Sequence, residues 1–191
     1  MNSELKYIQE WLTMATSGNF IMAESLYYEK LFPEVIDRFS RKYSPLLKGK
    51  DVLISILGFS PEPIILTAMA MKPEVHYIVT TESKGDVLKK VEDFLDNDIN
   101  IIELKDTDFG TIYRALKEIL YEINSSEIVI DITGGKKSMV SAASIFGKDY
   151  RCKITYVDFD EYIKDLRKPM PGSEILNIVY DPLRDQPELK Y

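Results

Sequence analysis

The chain has 191 residues, 45% of them hydrophobic, and a formal net charge of −7 at pH 7. This length suits one domain, or one domain with an extension, and the composition is ordinary for a globular protein. No apolar run approaches the roughly 18 residues of a transmembrane helix, so no membrane contact is expected. The acidic charge argues against binding of long nucleic acid, but it permits a small phosphorylated ligand in a locally basic pocket.

Residue types that report on compartment and metal binding are scarce. The N-terminus lacks the basic and apolar regions of a signal peptide. A single cysteine, Cys152, excludes an internal disulfide and suits a reducing compartment, so we predict a cytoplasmic protein. One cysteine and one histidine, His76, argue against a zinc site, and neither a metal nor a cofactor is expected. His76 falls inside a predicted strand and is expected to be structural.

Residues 1–49 have a helical pattern and are predicted to form an N-terminal extension. Four apolar residues fall on one helical face, namely Leu5, Ile8, Trp11 and Leu12. The pattern breaks at residues 17–19 and resumes over residues 20–32. Pro33 is typical of a helix start and predicts a further helix ending near Tyr43. We expect these helices to pack on their own domain or across a dimer, with docking of an effector or other protein partner as the alternative.

From residue 51 onward, short apolar runs alternate with amphipathic helical segments. The predicted strands cover residues 51–57, 75–80, 100–104, 127–131 and 153–159. The helices between them cover residues 63–71, 86–96, 111–123 and 138–148. This alternation predicts an α/β domain over residues 50–182 with a doubly wound, mostly parallel sheet. Residues 174–180 are predicted to pair back as a C-terminal antiparallel hairpin, and residues 183–191 form a tail.

The most informative segment follows the fourth predicted strand, which ends at Asp131. A glycine pair with two lysines comes next, and a helix of small residues begins near Ser138. Glycines let backbone N–H groups approach a phosphate, and a helix N-terminus adds partial positive charge. Neither the Walker A pattern nor the G-x-G-x-x-G pattern is present. The segment therefore predicts a phosphate site of a different kind.

Ligands of such sheets bind at the carboxyl ends of the strands, and two more loops are expected there. One follows the first strand at residues 58–63, and the other follows the second strand at residues 80–85. Each could also be an ordinary turn, but three polar or glycine loops at one edge are a stronger signal than any one alone. The candidate ligand-binding residues are Gly58, Phe59, Ser60, Pro61, Glu62, Thr81, Glu82, Ser83, Thr133, Gly134, Gly135, Lys136, Lys137 and Ser138. Small residues at 141–144 would let either the sheet or a two-fold partner approach the last helix closely.

Residues 58–63 and 131–139, with the turn at 171–174, resemble the CARF family, the CRISPR-associated Rossmann fold domains. The resemblance covers about residues 51–180 and implies a Rossmann-like sheet. It also implies a homodimer that binds a cyclic oligoadenylate, a second messenger made by type III CRISPR complexes in antiviral defence. By position, Gly134 and Gly135 would offer backbone amides to the phosphates, Lys137 would meet a phosphate, and Ser60 would line the same pocket.

Three functions remain open at this point. The first is a sensor that binds cyclic tetra- or hexa-adenylate and returns it intact. The second is a metal-independent ring nuclease, in which Lys137 would stabilise the developing charge and Ser60 would position the reacting group as catalytic residues. The third is an unrelated nucleotide-binding enzyme with a Rossmann-like sheet. No effector motif is visible, since His76 is the only histidine and cannot form the pair of a HEPN-like ribonuclease.

Overall fold

The computed structural model describes residues 5–81, 85–95, 98–123, 125 and 127–189. Its main sheet has six strands, namely β1 (Val52–Ile56), β2 (Val75–Thr81), β3 (Ile99–Leu104), β4 (Ile128–Asp131), β5 (Lys153–Phe159) and β8 (Glu174–Tyr180). Their order in the sheet is β3-β2-β1-β4-β5-β8. Strands β1 to β5 are parallel, and β8 pairs with β5 in antiparallel fashion. The predicted doubly wound, mostly parallel sheet with a C-terminal antiparallel element is confirmed. A small ribbon, β6 (Tyr162–Ile163) with β7 (Lys168–Pro169), lies between β5 and β8.

The helices follow the predicted order, apart from a short C-terminal helix that the sequence analysis does not predict. They are α1 (Ile8–Thr16), α2 (Phe20–Leu26), α3 (Phe32–Leu47), α4 (Glu62–Met71), α5 (Gly85–Glu92), α6 (Phe109–Glu122), α7 (Lys137–Asp149) and α8 (Pro182–Asp185). A π-helical turn, Tyr27–Leu31, joins α2 to α3 without a break. Helix α3 extends past Pro45, so the predicted end near Tyr43 is wrong. The buried side chain of Leu47 anchors the last turn against the core. Helix α5 ends at Glu92, earlier than predicted.

Each face of the sheet is covered by helices, which explains the apolar runs of the strands. All five residues of β1 are buried because this central strand is enclosed on both sides. One core cluster combines alternate strand residues such as Leu53 and Val129 with α3 and α4. The other combines the intervening residues, such as Ile54 and Ile130, with α6 and α7.

The N-terminal helices are fastened to the sheet by a shared core. Helix α3 packs directly on α4 and contributes Phe32, Val35 and Phe39 to the same cluster as the strands. The N-terminal arm, residues 5–49, also contains a separate small cluster, in which Trp11 and Leu31 pack with residues of the β6–β7 region. The helices before β1 are thus positioned relative to the strand ends. In the part of the chain that the structure describes, no helix is long and apolar enough to cross a membrane.

The strand order reverses between β1 and β4. The connection after β1 leads to β2 on one side, while the connection after β4 leads to β5 on the other. Two diverging connections leave a crevice at the carboxyl ends of the two strands, where ligands of open α/β sheets bind. The two most informative loops of the sequence lie at this point.

Candidate functional site

The loops after β1 and β4 touch each other backbone to backbone. A Cβ atom on Gly134 would lie 2.4 Å from the carbonyl oxygen of Ile56 and 2.5 Å from the backbone nitrogen of Gly58. A Cβ on Gly58 would lie 2.8 Å from the nitrogen of Gly135, which itself has a φ of +87°. These glycines therefore have a structural requirement of their own, in addition to the phosphate contact predicted for Gly134 and Gly135.

Asp131 and Thr133 fasten the start of the β4 loop. The carboxylate Oδ1 of Asp131 accepts hydrogen bonds from the Thr133 backbone nitrogen, at 2.9 Å, and from the Thr133 hydroxyl. The same hydroxyl oxygen accepts a hydrogen bond from the backbone nitrogen of Val157 at 2.8 Å. Since β4 pairs with β5 only as far as Asp131 and Thr155, the hydroxyl takes the place of the next strand carbonyl. Sequence reasoning missed this role of Asp131, although the Asp-x-Thr spacing is typical of an Asx turn.

A buried polar row lies beneath the crevice. Asp131 faces Ser55 on β1 and Thr155 on β5 in the strand register. Ser55 Oγ is 3.0 Å from Nε2 of His76, so the histidine lies inside the fold, as expected. Burial lowers the pKa of His76 to about 4. Burial also raises the pKa of Asp131, and the hydrogen bonds from Thr133 oppose that rise.

The N-terminus of α7 opens into the crevice. Lys136 is the residue before the helix, and the side chains of Lys136, Lys137 and Ser138 are exposed. The first N–H groups of a helix have no intrahelical acceptor, and together with the helix dipole they attract anions. Two lysines at the same turn add full positive charge. Met139 is buried.

The predicted site residues of the β1 loop differ in exposure. Phe59 and Ser60 are exposed, with Phe59 at 87%. Pro61 is buried and is the residue before α4, which has no side-chain cap. Glu62 faces the N-terminal arm, where its Oε1 accepts a hydrogen bond from the Tyr28 hydroxyl at 2.7 Å.

The third predicted loop is only partly described. Thr81 is half-buried at the end of β2. Glu82 and Ser83 lie outside the described residues. The structure therefore brings together the β1 and β4 loops and leaves the contribution of residues 82–83 as a prediction.

Two cavities lie near the carboxyl edge of the sheet. One of about 170 Å³ is bordered by the β1 loop, Tyr28 and the first turns of α5. The other, of about 680 Å³, lies between α3 and the start of β8 and carries both acidic and basic side chains. At its wall, burial raises the pKa of Glu174 to about 6, while Gly172 donates a backbone hydrogen bond to its carboxylate at 2.8 Å. Among the described residues, no three His, Cys, Asp or Glu side chains are grouped so as to hold a metal ion.

Similarity to known proteins agrees with this geometry. No protein-family profile matches the chain. Over 166 residues it is 27% identical to the CRISPR system endoribonuclease Csm6 of Thermus thermophilus. The aligned region covers 83% of this chain and 36% of Csm6. The chain thus spans about a third of the length of this curated relative.

Two solved structures share the fold at low sequence identity. Can2 from Sulfobacillus thermosulfidooxidans, solved in complex with cyclic tetra-adenylate, is 18% identical, with a TM-score of 0.52 over 65% of this chain and 34% of that one. Protein VC1899 from Vibrio cholerae is 12% identical, with a TM-score of 0.51 over 56% of this chain and 30% of that one. The sequence similarity to Csm6, the shared fold and the paired loops at the switch point support the resemblance to the CARF domains.

Proposed function

We propose that this chain is a CRISPR-associated sensor domain that binds a cyclic oligoadenylate, tetra- or hexa-adenylate, across a homodimer in the cytoplasm. The observation that carries the proposal is the crevice between β1 and β4, where the exposed Lys136 and Lys137 stand at the N-terminus of α7. Can2, which has the same fold, was solved with cyclic tetra-adenylate bound. The similarity to Csm6 leaves an unrelated nucleotide-binding enzyme without support.

In this proposal, the phosphates lie over the first turn of α7. The free backbone N–H groups of that turn and the two lysine side chains would donate charge-assisted hydrogen bonds to phosphate oxygens. Thr133 would hold the loop in a fixed position relative to β4 and β5 through its contacts with Asp131 and Val157. The loop would then be preorganised, which reduces the entropy lost on binding.

The outer face of α7 supports a two-fold partner. Ala142 and Ala143 are buried against the sheet, so these small residues serve packing within the chain. Ser141 and Ile145 lie on the opposite side, and Ile145 is 48% exposed. They follow Lys137 at helical spacing, so a partner packed on this face would bring two lysine turns toward one axis. Docking of a separate effector on residues 1–49 stays a further proposal.

Calorimetry with cyclic tri-, tetra- and hexa-adenylate tests the proposal, with light scattering to measure the mass in solution. We expect a dimer that binds the tetra- or hexa-adenylate and releases it unchanged. Lys137→Ala should weaken binding by about tenfold or more, because a hydrogen bond to a charged group contributes roughly 1.5–3 kcal/mol. Lys89→Ala, an exposed lysine on α5, is the matched control and should bind as the wild type does. Absence of binding to all three rings by the wild type would overturn the proposal.

A ring nuclease is the second candidate, because Ser60 and Lys137 are both exposed on the loops that flank the crevice. In this reaction a ribose 2′-hydroxyl would attack the adjacent phosphorus and lose its proton. The bond to the 5′-oxygen would break, leaving a 2′,3′-cyclic phosphate and a 5′-hydroxyl. Lys137 would stabilise the charge on the phosphate oxygens, and Ser60 would hold the reacting ribose or phosphate in line. Chromatography of the ring after long incubation with excess protein decides: linear products, lost in Lys137→Ala, support cleavage, and intact ring rejects it.

A further inference from the structure

We propose that the N-terminal arm completes a nucleobase subsite beside the β1 loop, in which Tyr28, Glu62 and Lys90 recognise an adenine of the bound ring. This inference rests on the proposed function and adds to it the residues that read the base. The arm is separate from the glycine–lysine loop, residues 131–139, which would bind the phosphates. It would contact the part of the ligand that projects away from them.

The cavity has the size and position for one base. Its volume is about 170 Å³, below the roughly 300–1,000 Å³ of pockets that enclose whole drug-sized ligands. Its wall consists of residues from three separate segments, namely Tyr28, Phe59, Ser60, Pro61, Glu62, Asp86, Val87 and Lys90. The β1 loop separates it from the crevice, so a base attached to a ribose in the crevice would reach it across Phe59 and Ser60.

Tyr28 is held firmly at the cavity wall. Its ring contacts those of Phe32 and Phe94, with centroid distances of 6.0 and 6.1 Å. Its hydroxyl donates to Oε1 of Glu62, which fixes the orientation of that carboxylate. An ionised carboxylate accepts about four hydrogen bonds, so Glu62 keeps capacity for another donor. The exocyclic amino group of adenine is such a donor.

Lys90 supplies the complementary donor. Its ammonium group pairs with Glu24 of α2 at 2.6 Å and lies over the Tyr28 ring, 4.6 Å from the centroid. Both contacts come from the arm, so the arm positions Lys90 at the cavity. Ring nitrogens of a purine accept hydrogen bonds from an ammonium group. The exposed ring of Phe59 on the β1 loop adds an aromatic face, which suits base stacking.

With the base placed so that its exocyclic 6-position faces Glu62 and its N1 atom faces Lys90, the subsite matches adenine better than hypoxanthine. Adenine has an amino donor at the 6-position and an acceptor at N1, where hypoxanthine has a carbonyl acceptor and an N–H donor. Glu62 would therefore favour the amino base, and a glutamine at this position would accept either base, because its amide both donates and accepts. The subsite thus makes a prediction about base preference, which a purely structural role for Glu62 would not make.

The experiment compares cyclic tetra-adenylate with its hypoxanthine analogue, in which every adenine amino group is replaced by a carbonyl oxygen. Binding of both rings is measured by calorimetry for the wild-type chain, Glu62→Gln, Tyr28→Phe and Lys90→Ala. We expect the wild type to prefer the adenine ring by at least tenfold and Glu62→Gln to reduce that preference to about threefold or less. Tyr28→Phe and Lys90→Ala should each weaken binding of the adenine ring by about tenfold or more, in line with hydrogen bonds to charged groups.

Matched variants and thermal unfolding separate recognition from folding. Lys89→Ala removes the neighbouring lysine, and Tyr7→Phe removes an arm hydroxyl; neither residue borders the cavity, and both variants should bind as the wild type does. An unchanged base preference in Glu62→Gln, with affinities within twofold in the other two variants, would overturn the inference while leaving the proposed function intact. Failure of the wild type to bind any ring would instead overturn the proposed function. If a variant binds more weakly only because less of it is folded, as thermal unfolding would show, and its base preference is unchanged, the result would count against the subsite.

Discussion

The threonine at the start of the β4 loop allows a quantitative test of how this site is held. Thr133→Val keeps the volume of the side chain and its β-branch but removes the hydroxyl. That hydroxyl donates to Asp131 and accepts from the backbone nitrogen of Val157 at 2.8 Å. Both neighbours are buried, so the lost contacts are not replaced by water at full strength.

The magnitude follows from these two contacts. Leaving the Val157 N–H without an acceptor costs about 1–3 kcal/mol, and loss of the hydrogen bond to Asp131 costs about 1 kcal/mol more. The free energy of unfolding should therefore fall by about 2–4 kcal/mol. For a chain of this length, that corresponds to a decrease in Tm of roughly 4–16 °C. The isosteric replacement leaves no cavity, so no packing loss is added.

Urea denaturation followed by circular dichroism measures this change, with Thr133→Ser as the matched control. The serine keeps the hydroxyl and should cost less than about 1 kcal/mol, since only a methyl group is removed. A Thr133→Val chain within about 0.5 kcal/mol of the wild type would refute the view that this hydroxyl fastens the loop to β5. Ligand binding by the same variants would then show whether loop position and affinity change together.

Two further variants test the packing beneath the crevice. Gly134→Ala places a Cβ 2.4 Å from the Ile56 carbonyl oxygen and should destabilise the fold by about 1–3 kcal/mol, while Gly85→Ala, whose Cβ meets nothing within 4 Å, should change stability little; equal urea midpoints would contradict this. His76→Gln should reduce the loss of stability on acidification, because burial lowers the pKa of His76 from 6.5 to about 4 and the unfolded chain takes up the proton first. From pH 7 to pH 4 the wild type should lose about 3 kcal/mol more than His76→Gln. The pKa of Glu174 is raised from 4.5 to about 6, so protonation of this residue stabilises both chains over part of the same pH range. Only the difference between the two chains is therefore informative. Parallel pH profiles would contradict the assignment of the acid-induced loss to His76.

The sheet could be predicted because its physical signal is local. Strands enclosed on both faces are apolar along their length, and this pattern marks β1 and β4 directly. The strand order was not predicted from the sequence; the parallel direction of the strands alone places the loops after β1 and β4 at the same edge of the sheet. The glycine–lysine loop was recognised for the same reason, since its turn, charge and helix start are contiguous in sequence.

What could not be predicted depends on contacts between distant segments. The hydrogen bond from Tyr28 to Glu62 joins residues 34 positions apart, and no periodicity indicates it. The bond from Val157 to Thr133 requires knowledge of where β4 stops pairing with β5. The end of α3 was misjudged because Pro45 signals a boundary locally, while burial of Leu47 continues the helix beyond it.

The backbone contact between Gly58 and Gly134 has a consequence for how such a site can diversify. Two loops without side chains at their junction cannot be adjusted independently, because any substituent there would displace both at once. Changes in ligand preference are therefore expected away from this junction, at Glu62 beside the β1 loop and at rim positions such as Phe59 and Lys136 whose side chains are exposed. A library for altered ring specificity should vary these rim positions and leave the glycines untouched.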